Sequence, residues 1–113
     1  METNPYEGSE RRTYFRILYP PDKRPKLIVG EHQFEIADIS EGGIRLINTQ
    51  NAKLEETIRG STTFLYGETM DIEGAVVWKQ NNEIGLLLKA YIPPAVMQKE
   101  NRFVILSSLK NDI

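Results

Sequence analysis

Three of the chain's seven arginines, Arg11, Arg12 and Arg16, fall close together near its start, and Arg12 and Arg16 form an R-x-x-x-R pair. A guanidinium is a planar fork that donates paired hydrogen bonds to carboxylate or phosphate oxygens. Three in one short segment therefore suit an anion. Further along, residues 38–43 read Asp-Ile-Ser-Glu-Gly-Gly, a D-x-S-x-x-G pattern. Asp38 and Ser40 offer polar side-chain atoms, and Gly42 and Gly43 free the backbone to approach a ligand or to take positive φ. The two motifs differ in information. Seven arginines in 113 residues give about 0.4 chance occurrences of the first pattern, whereas four Asp, five Ser and eight Gly give roughly 0.01 of the second. The second motif, following the first in order, is the one that chance does not supply.

The groups that catalysis requires are missing. There is one histidine, His32, in a predicted turn, and there is no cysteine. General acid–base work needs an oriented partner for that histidine, and a zinc site would have to be built from carboxylates alone. Asp71 and Glu73 stand two apart on a predicted strand, either as a carboxylate pair or on a solvated outer face. No Walker A loop, nucleophile elbow or G-x-G-x-x-G is present. No catalytic residue, metal ligand set or cofactor is expected, and the chain reads as a non-enzyme.

The elements that position these residues are mostly strands. Residues 26–29 (KLIV) form a short apolar strand, ended by Gly30, Glu31 and His32. Residues 33–38 alternate, with Phe34 and Ile36 on one face, so the pair predicts a hairpin. After Gly42 and Gly43, residues 44–47 alternate again, and 48–60 are polar and irregular up to Gly60. Strands are predicted over 62–66, over 70–78 with a bulge or bend at Gly74, and over 84–88 after a turn at Asn81 and Asn82. Pro93 and Pro94 then open a helix in which Val96, Phe103, Leu106 and Leu109 recur at helical spacing, with Lys99, Glu100 and Lys110 outside. About six short strands with regular turns predict a small antiparallel barrel or sandwich, with one helix face packed on it.

Bulk properties agree with one soluble domain. The chain has 40% hydrophobic and 27% charged residues and no apolar run long enough to span a bilayer. Residues 1–10 are polar, carry Pro5 and Gly8, and lack the apolar stretch of a signal peptide, so they read as a mobile tail in a cytoplasmic protein. A net charge of −2 argues against general nucleic-acid binding, so no DNA is expected as a partner. Between Glu10 and Lys26, however, six basic residues face two acids. A basic segment on an acidic body suits a compact anion better than a long polyanion.

With R-x-x-x-R at Arg12/Arg16, D-x-S-x-x-G at Asp38/Ser40/Gly43 and this strand pattern, nearly the whole chain resembles the PilZ domain family. The resemblance implies a mostly β fold, a six-stranded antiparallel barrel with a C-terminal α-helix and a flexible arginine-bearing N-terminal segment. It divides the chain into a tail over 1–10 and a domain over 11–113, with a switch segment over 11–24, the barrel over 25–91 and the helix over 94–109. It also implies a ligand, cyclic di-GMP, and a downstream protein partner in motility, biofilm or virulence control.

The residue types suit that ligand, which presents two phosphodiesters and two guanines. Arginine pairs with phosphate oxygens and with guanine O6 and N7. Asp38 matches the N1–H and N2 amino donors of guanine. Ser40 either bonds the ligand or holds the turn, and Gly42 and Gly43 either admit the backbone or only shape the loop. Arg11 adds a third guanidinium that would favour an intercalated ligand dimer. Trp78 flanks the ligand or joins the core, and Arg45 lies on the outer face or at the site rim. Two other classes remain open, namely a PilZ-like protein adaptor without ligand and an OB-like binder of single-stranded nucleic acid. The first is disfavoured by the intact motifs, and the second by the shortage of aromatics beside the arginines, where only Tyr14 and Phe15 stand.

Overall fold

Where apolar and polar residues alternate, the chain forms strands, and the last of these pairs back with an earlier one. The computed structural model describes residues 15–111, so the predicted tail, Arg11 and Arg12 lie outside the described residues. The strands are β1 (Ile17–Leu18), β2 (Lys26–Val29), β3 (His32–Ile39), β4 (Gly43–Ile47), β5 (Thr57–Thr63), β6 (Thr69–Gln80) and β7 (Glu83–Leu88), followed by helix α1 (Pro94–Asn111). Every pairing is antiparallel, in the order β3-β2-β5-β6-β7-β4, and β4 pairs with β3 to close a six-stranded barrel. Closure leaves no long edge unpaired. The short β1 continues the line of β2 along β3, with Ile17 opposite Ile39 and Leu18 opposite Asp38. Between β1 and β2 the chain loops out through a 3-10 turn, Pro21–Lys23.

The inward faces supply one core. Phe34, Ile36 and Ile39 of β3, Ile44 and Leu46 of β4, Ile72 of β6 and Ile84, Leu86 and Leu88 of β7 are all buried. Each such side chain contributes about 1.5–3 kcal/mol on leaving water. Two hairpins follow the expected turns: Gly30 takes φ +60° between β2 and β3, and Asn81 takes φ +57° between β6 and β7. The strand predicted over 62–66 is displaced, because β5 runs over Thr57–Thr63 with Gly60 inside it. Gly60 is required there because β2 crosses closely. A Cβ at this position would stand 2.3 Å from the Ile28 carbonyl oxygen.

The reason that residues 64–66 leave the strand lies in the helix. Glu100 is completely buried and its carboxylate accepts the Tyr19 hydroxyl at 2.6 Å and the Leu65 and Tyr66 amides at 2.9 and 3.1 Å. Those amides therefore bond to a side chain instead of a neighbouring strand. This corrects the placement of Glu100 on the outer face of the helix. Burial first, then the bond to Glu100, raises the Tyr19 hydroxyl pKa well above its ordinary value. Val96 and Met97 of α1 are buried, but Phe103, Leu106 and Leu109 are exposed. The packed face of α1 runs from Val96 and Met97 to the partly buried Val104, so the spacing of Phe103, Leu106 and Leu109 does not mark it. No helix among the described residues is long and apolar enough to cross a membrane.

Candidate functional site

A strand's side chains alternate strictly, so a one-residue insertion transfers every later residue to the opposite face. Two such insertions shape the site. Counting by twos from Phe34 and Ile36 would send Asp38 into the core, but the β3–β4 register shifts between Ile36 and Asp38. Asp38 then stands opposite Arg45 on the outer face, while Ile39 returns inward opposite Ile44. The same event occurs on β6. Ile72 and Gly74 are buried, and a register shift between Val76 and Trp78 turns Trp78 outward opposite Gly85. The predicted bulge at Gly74 thus occurs three residues later, at Val77. Gly74 stays in regular register, where a Cβ would lie 2.8 Å from the Leu87 carbonyl oxygen.

These shifts align one row across the outer face of four strands. Trp78 pairs with Gly85, Gly85 with Arg45, and Arg45 with Asp38. Trp78 is 42% exposed, which excludes it from the core, and its indole lies over Gly85 so closely that a Cβ there would meet Nε1 at 2.1 Å. At the far end of the row, β1 brings Arg16 beside Asp38. One Asp38 oxygen accepts Arg16 Nη1 at 2.8 Å and the other accepts Arg45 Nε at 2.6 Å. Arg45 also reaches Glu83 through Nη1 at 3.1 Å. Arg16, Asp38, Arg45, Trp78 and Gly85 line a shallow cleft of about 240 Å³, together with Gly43, Ile44 and Leu86. Four larger hollows, of about 430 to 570 Å³, hold none of the motif residues.

The carboxylate is the buried member of this network. The Asp38 side chain is 3% exposed, against 59% for Arg16 and 31% for Arg45. An unpaired carboxylate at such depth costs several kcal/mol, and the two guanidiniums offset that cost. The Asp38 bond, more than any other contact, raises the Arg45 pKa and keeps that group protonated. The glycine-rich loop is fixed by its own backbone. Ser40 donates its amide to the Gly43 carbonyl at 2.9 Å and its hydroxyl to the same oxygen at 3.4 Å. The Gly42 carbonyl accepts the Leu88 amide, and the Glu41 carbonyl accepts the Ile92 amide.

The expected positive φ at Gly42 and Gly43 is absent, since Gly30 and Gly67 are the glycines with positive φ among the described residues. Space at both positions is tight. A Cβ on Gly42 would meet the Tyr91 ring at 3.3 Å, and one on Gly43 would meet the Leu86 carbonyl oxygen at 3.3 Å. Ser40 holds the turn in this structure. Of the residues singled out from sequence, Arg16, Asp38, Gly43, Arg45 and Trp78 meet at one cleft, with Ser40 and Gly42 in the adjoining loop. Gly85 and Glu83 had no motif to mark them; they join the site only through the pairing of β7 with β4 and β6.

Comparison with known proteins agrees with the fold. A family profile described as PilZ domain matches residues 10–105. The crystal structure of an uncharacterized protein from Legionella superposes with a TM-score of 0.57 at 18% identity, covering 88% of this chain and 97% of that one. No curated protein sequence matches the chain.

Proposed function

Because the chain belongs to the PilZ domain family, a family of cyclic di-GMP-binding adaptors rather than enzymes, we propose that it is a cyclic di-GMP receptor that signals to a partner protein. The observation that carries this reading is the row from Trp78 to Arg16, in which a buried carboxylate is held between two arginines beside an exposed indole. Asp38 would accept the N1–H and N2 donors of one guanine. Arg16 would exchange the carboxylate for a phosphate, joined by Arg12, and the indole of Trp78 would flank a base. A cleft of about 240 Å³ is smaller than the about 300–1,000 Å³ of sites that enclose a ligand of drug size. It suits one base, with the phosphates met by the arginine segment outside it.

Ligand binding would thereby draw residues 11–14 onto the barrel and present a changed surface to the partner. Arg11 supports binding of the ligand as an intercalated pair. Isothermal titration with cyclic di-GMP tests the reading and its stoichiometry together. Charge-assisted bonds are worth about 1.5–3 kcal/mol each, so Arg12→Ala or Arg16→Ala should weaken binding by about ten- to a hundredfold or more. Titrations of either variant that match the wild type would remove the assignment. A 1:1 stoichiometry would exclude the pair. Binding of single-stranded oligonucleotides that falls steeply with salt, without cyclic di-GMP binding, would point to a nucleic-acid binder instead. Amide exchange over residues 10–20 that is equal with and without ligand would exclude the conformational change.

A further inference from the structure

The two arginines on Asp38 are not equivalent, and the difference decides which of them a ligand can recruit. Arg16 precedes a strand of two residues, its side chain is 59% exposed, and Asp38 is its one acidic partner among the described residues. Arg45 lies in the middle of β4, paired with Asp38 on one side and with Gly85 on the other. Its guanidinium is anchored twice, by Nε to Asp38 at 2.6 Å and by Nη1 to Glu83 at 3.1 Å. A phosphate arriving at the cleft would therefore draw away Arg16 and leave Arg45 in place.

That asymmetry matters because Asp38 is 3% exposed and needs a counter-charge in either state. Withdrawal of Arg16 frees one carboxylate oxygen, while the other stays bonded to Arg45. From these contacts, and resting on the reading that the site takes cyclic di-GMP, we infer that Arg45, braced by Glu83, is the positioning residue that keeps Asp38 aimed at the guanine edge. Selectivity for guanine over adenine then depends on a residue outside both motifs. Adenine offers no N1–H and no N2 amino group, so a fixed carboxylate facing its edge meets an unpaired acceptor instead of two donors. Without Arg45, Asp38 would keep Arg16 as its sole counter-charge. The carboxylate would be free to rotate, and Arg16 would be less available to phosphate.

The test compares the affinities of cyclic di-GMP and cyclic di-AMP for the full chain and for Arg16→Ala, Arg45→Met, Arg45→Lys and Glu83→Gln. Arg45→Met should lower the guanine-over-adenine ratio by about tenfold or more. Lysine should restore it only in part, because an ammonium cannot bridge Asp38 and Glu83 as a planar fork does. Glu83 is partly exposed, so Glu83→Gln keeps the test valid if Arg45→Met does not fold. It should lower the ratio by about threefold or more with little change in cyclic di-AMP affinity. An unchanged ratio in Glu83→Gln and Arg45→Lys, with wild-type binding intact and Arg16→Ala impaired, would overturn this inference and leave the proposed function standing. Equal loss of both affinities in Arg45→Met would likewise overturn it, by making Arg45 a plain phosphate contact. Absence of cyclic di-GMP binding by the unaltered chain would overturn both.

Discussion

Replacing Glu100 by alanine takes one acceptor group away from three donors at once. The Tyr19 hydroxyl loses a partner at 2.6 Å inside the protein, and the amides of Leu65 and Tyr66 lose theirs at 2.9 and 3.1 Å. A buried donor left unmet costs about 1–3 kcal/mol. Leu65 and Tyr66 are only half-buried, so water can reach their amides in part, and the full penalty falls on Tyr19. Loss of one buried methylene adds about 0.8 kcal/mol. The expected cost of Glu100→Ala is therefore about 2–4 kcal/mol, a large share of the about 5–15 kcal/mol that stabilises a domain of this kind. Glu100→Gln keeps the methylenes and one carbonyl oxygen but turns an amide toward at least one donor, for about 2 kcal/mol. Urea denaturation followed by circular dichroism measures both, with the denaturant slope expected to hold. A cycle with Tyr19→Phe should give a coupling above about 1 kcal/mol, because the two side chains touch. Glu100→Gln within about 0.5 kcal/mol of the wild type, or a coupling near zero, would refute the assignment of Glu100 as the acceptor that ties the helix to the barrel.

The raised Tyr19 pKa carries a pH dependence of definite sign. The unfolded tyrosine ionises near its ordinary value of 10.0 and the buried one does not, so above about pH 10 stability should fall by up to about 1.4 kcal/mol per pH unit. Tyr19→Phe should remove that contribution; urea midpoints at pH 8 to 11 that fall in parallel for both proteins would exclude it. The glycines give a contrasting pair. Gly60→Ala sets a Cβ 2.3 Å from a backbone carbonyl oxygen and should cost about 3 kcal/mol, since two paired strands must separate. Gly85→Ala meets only the indole of an exposed Trp78, so it should cost less than about 1 kcal/mol while weakening cyclic di-GMP binding. Because Trp78 is the chain's single tryptophan, its emission should shift to the red in Gly85→Ala, and an unmoved spectrum would contradict the stacking.

Legibility followed locality. Strands β2, β3, β4 and β7 lie within a residue or two of their periodicity, because each alternates against one core face. The β2–β3 and β6–β7 turns were readable from Gly30 and from Asn81 and Asn82, whose backbones take left-handed φ. Strand β5 was not. Residues 57–61 alternate weakly, and Gly60 reads as a break until β2 is seen to press against it. The second half of α1 shows the opposite error, since Phe103, Leu106 and Leu109 keep an apolar rhythm but find no barrel beneath them.

By itself the sequence determined the family, the barrel class and the two motifs, because these depend on residue identity at short spacing and on a local period. It also marked Arg16, Asp38 and Trp78 for the site. Only the tertiary structure decided how they meet. Strict alternation sends Asp38 and Trp78 inward with Ile36 and Val76, and two register shifts, each visible only against the partner strand, turn both to the outer face. The same pairing brings in Arg45 and Glu83 and leaves Gly85 bare beneath the indole. A bulge is a relation between two strands, and a burial partner such as Tyr19 for Glu100 lies 81 residues away. Neither is written in the spacing of one chain segment, because both are chosen by the packing of many segments at once.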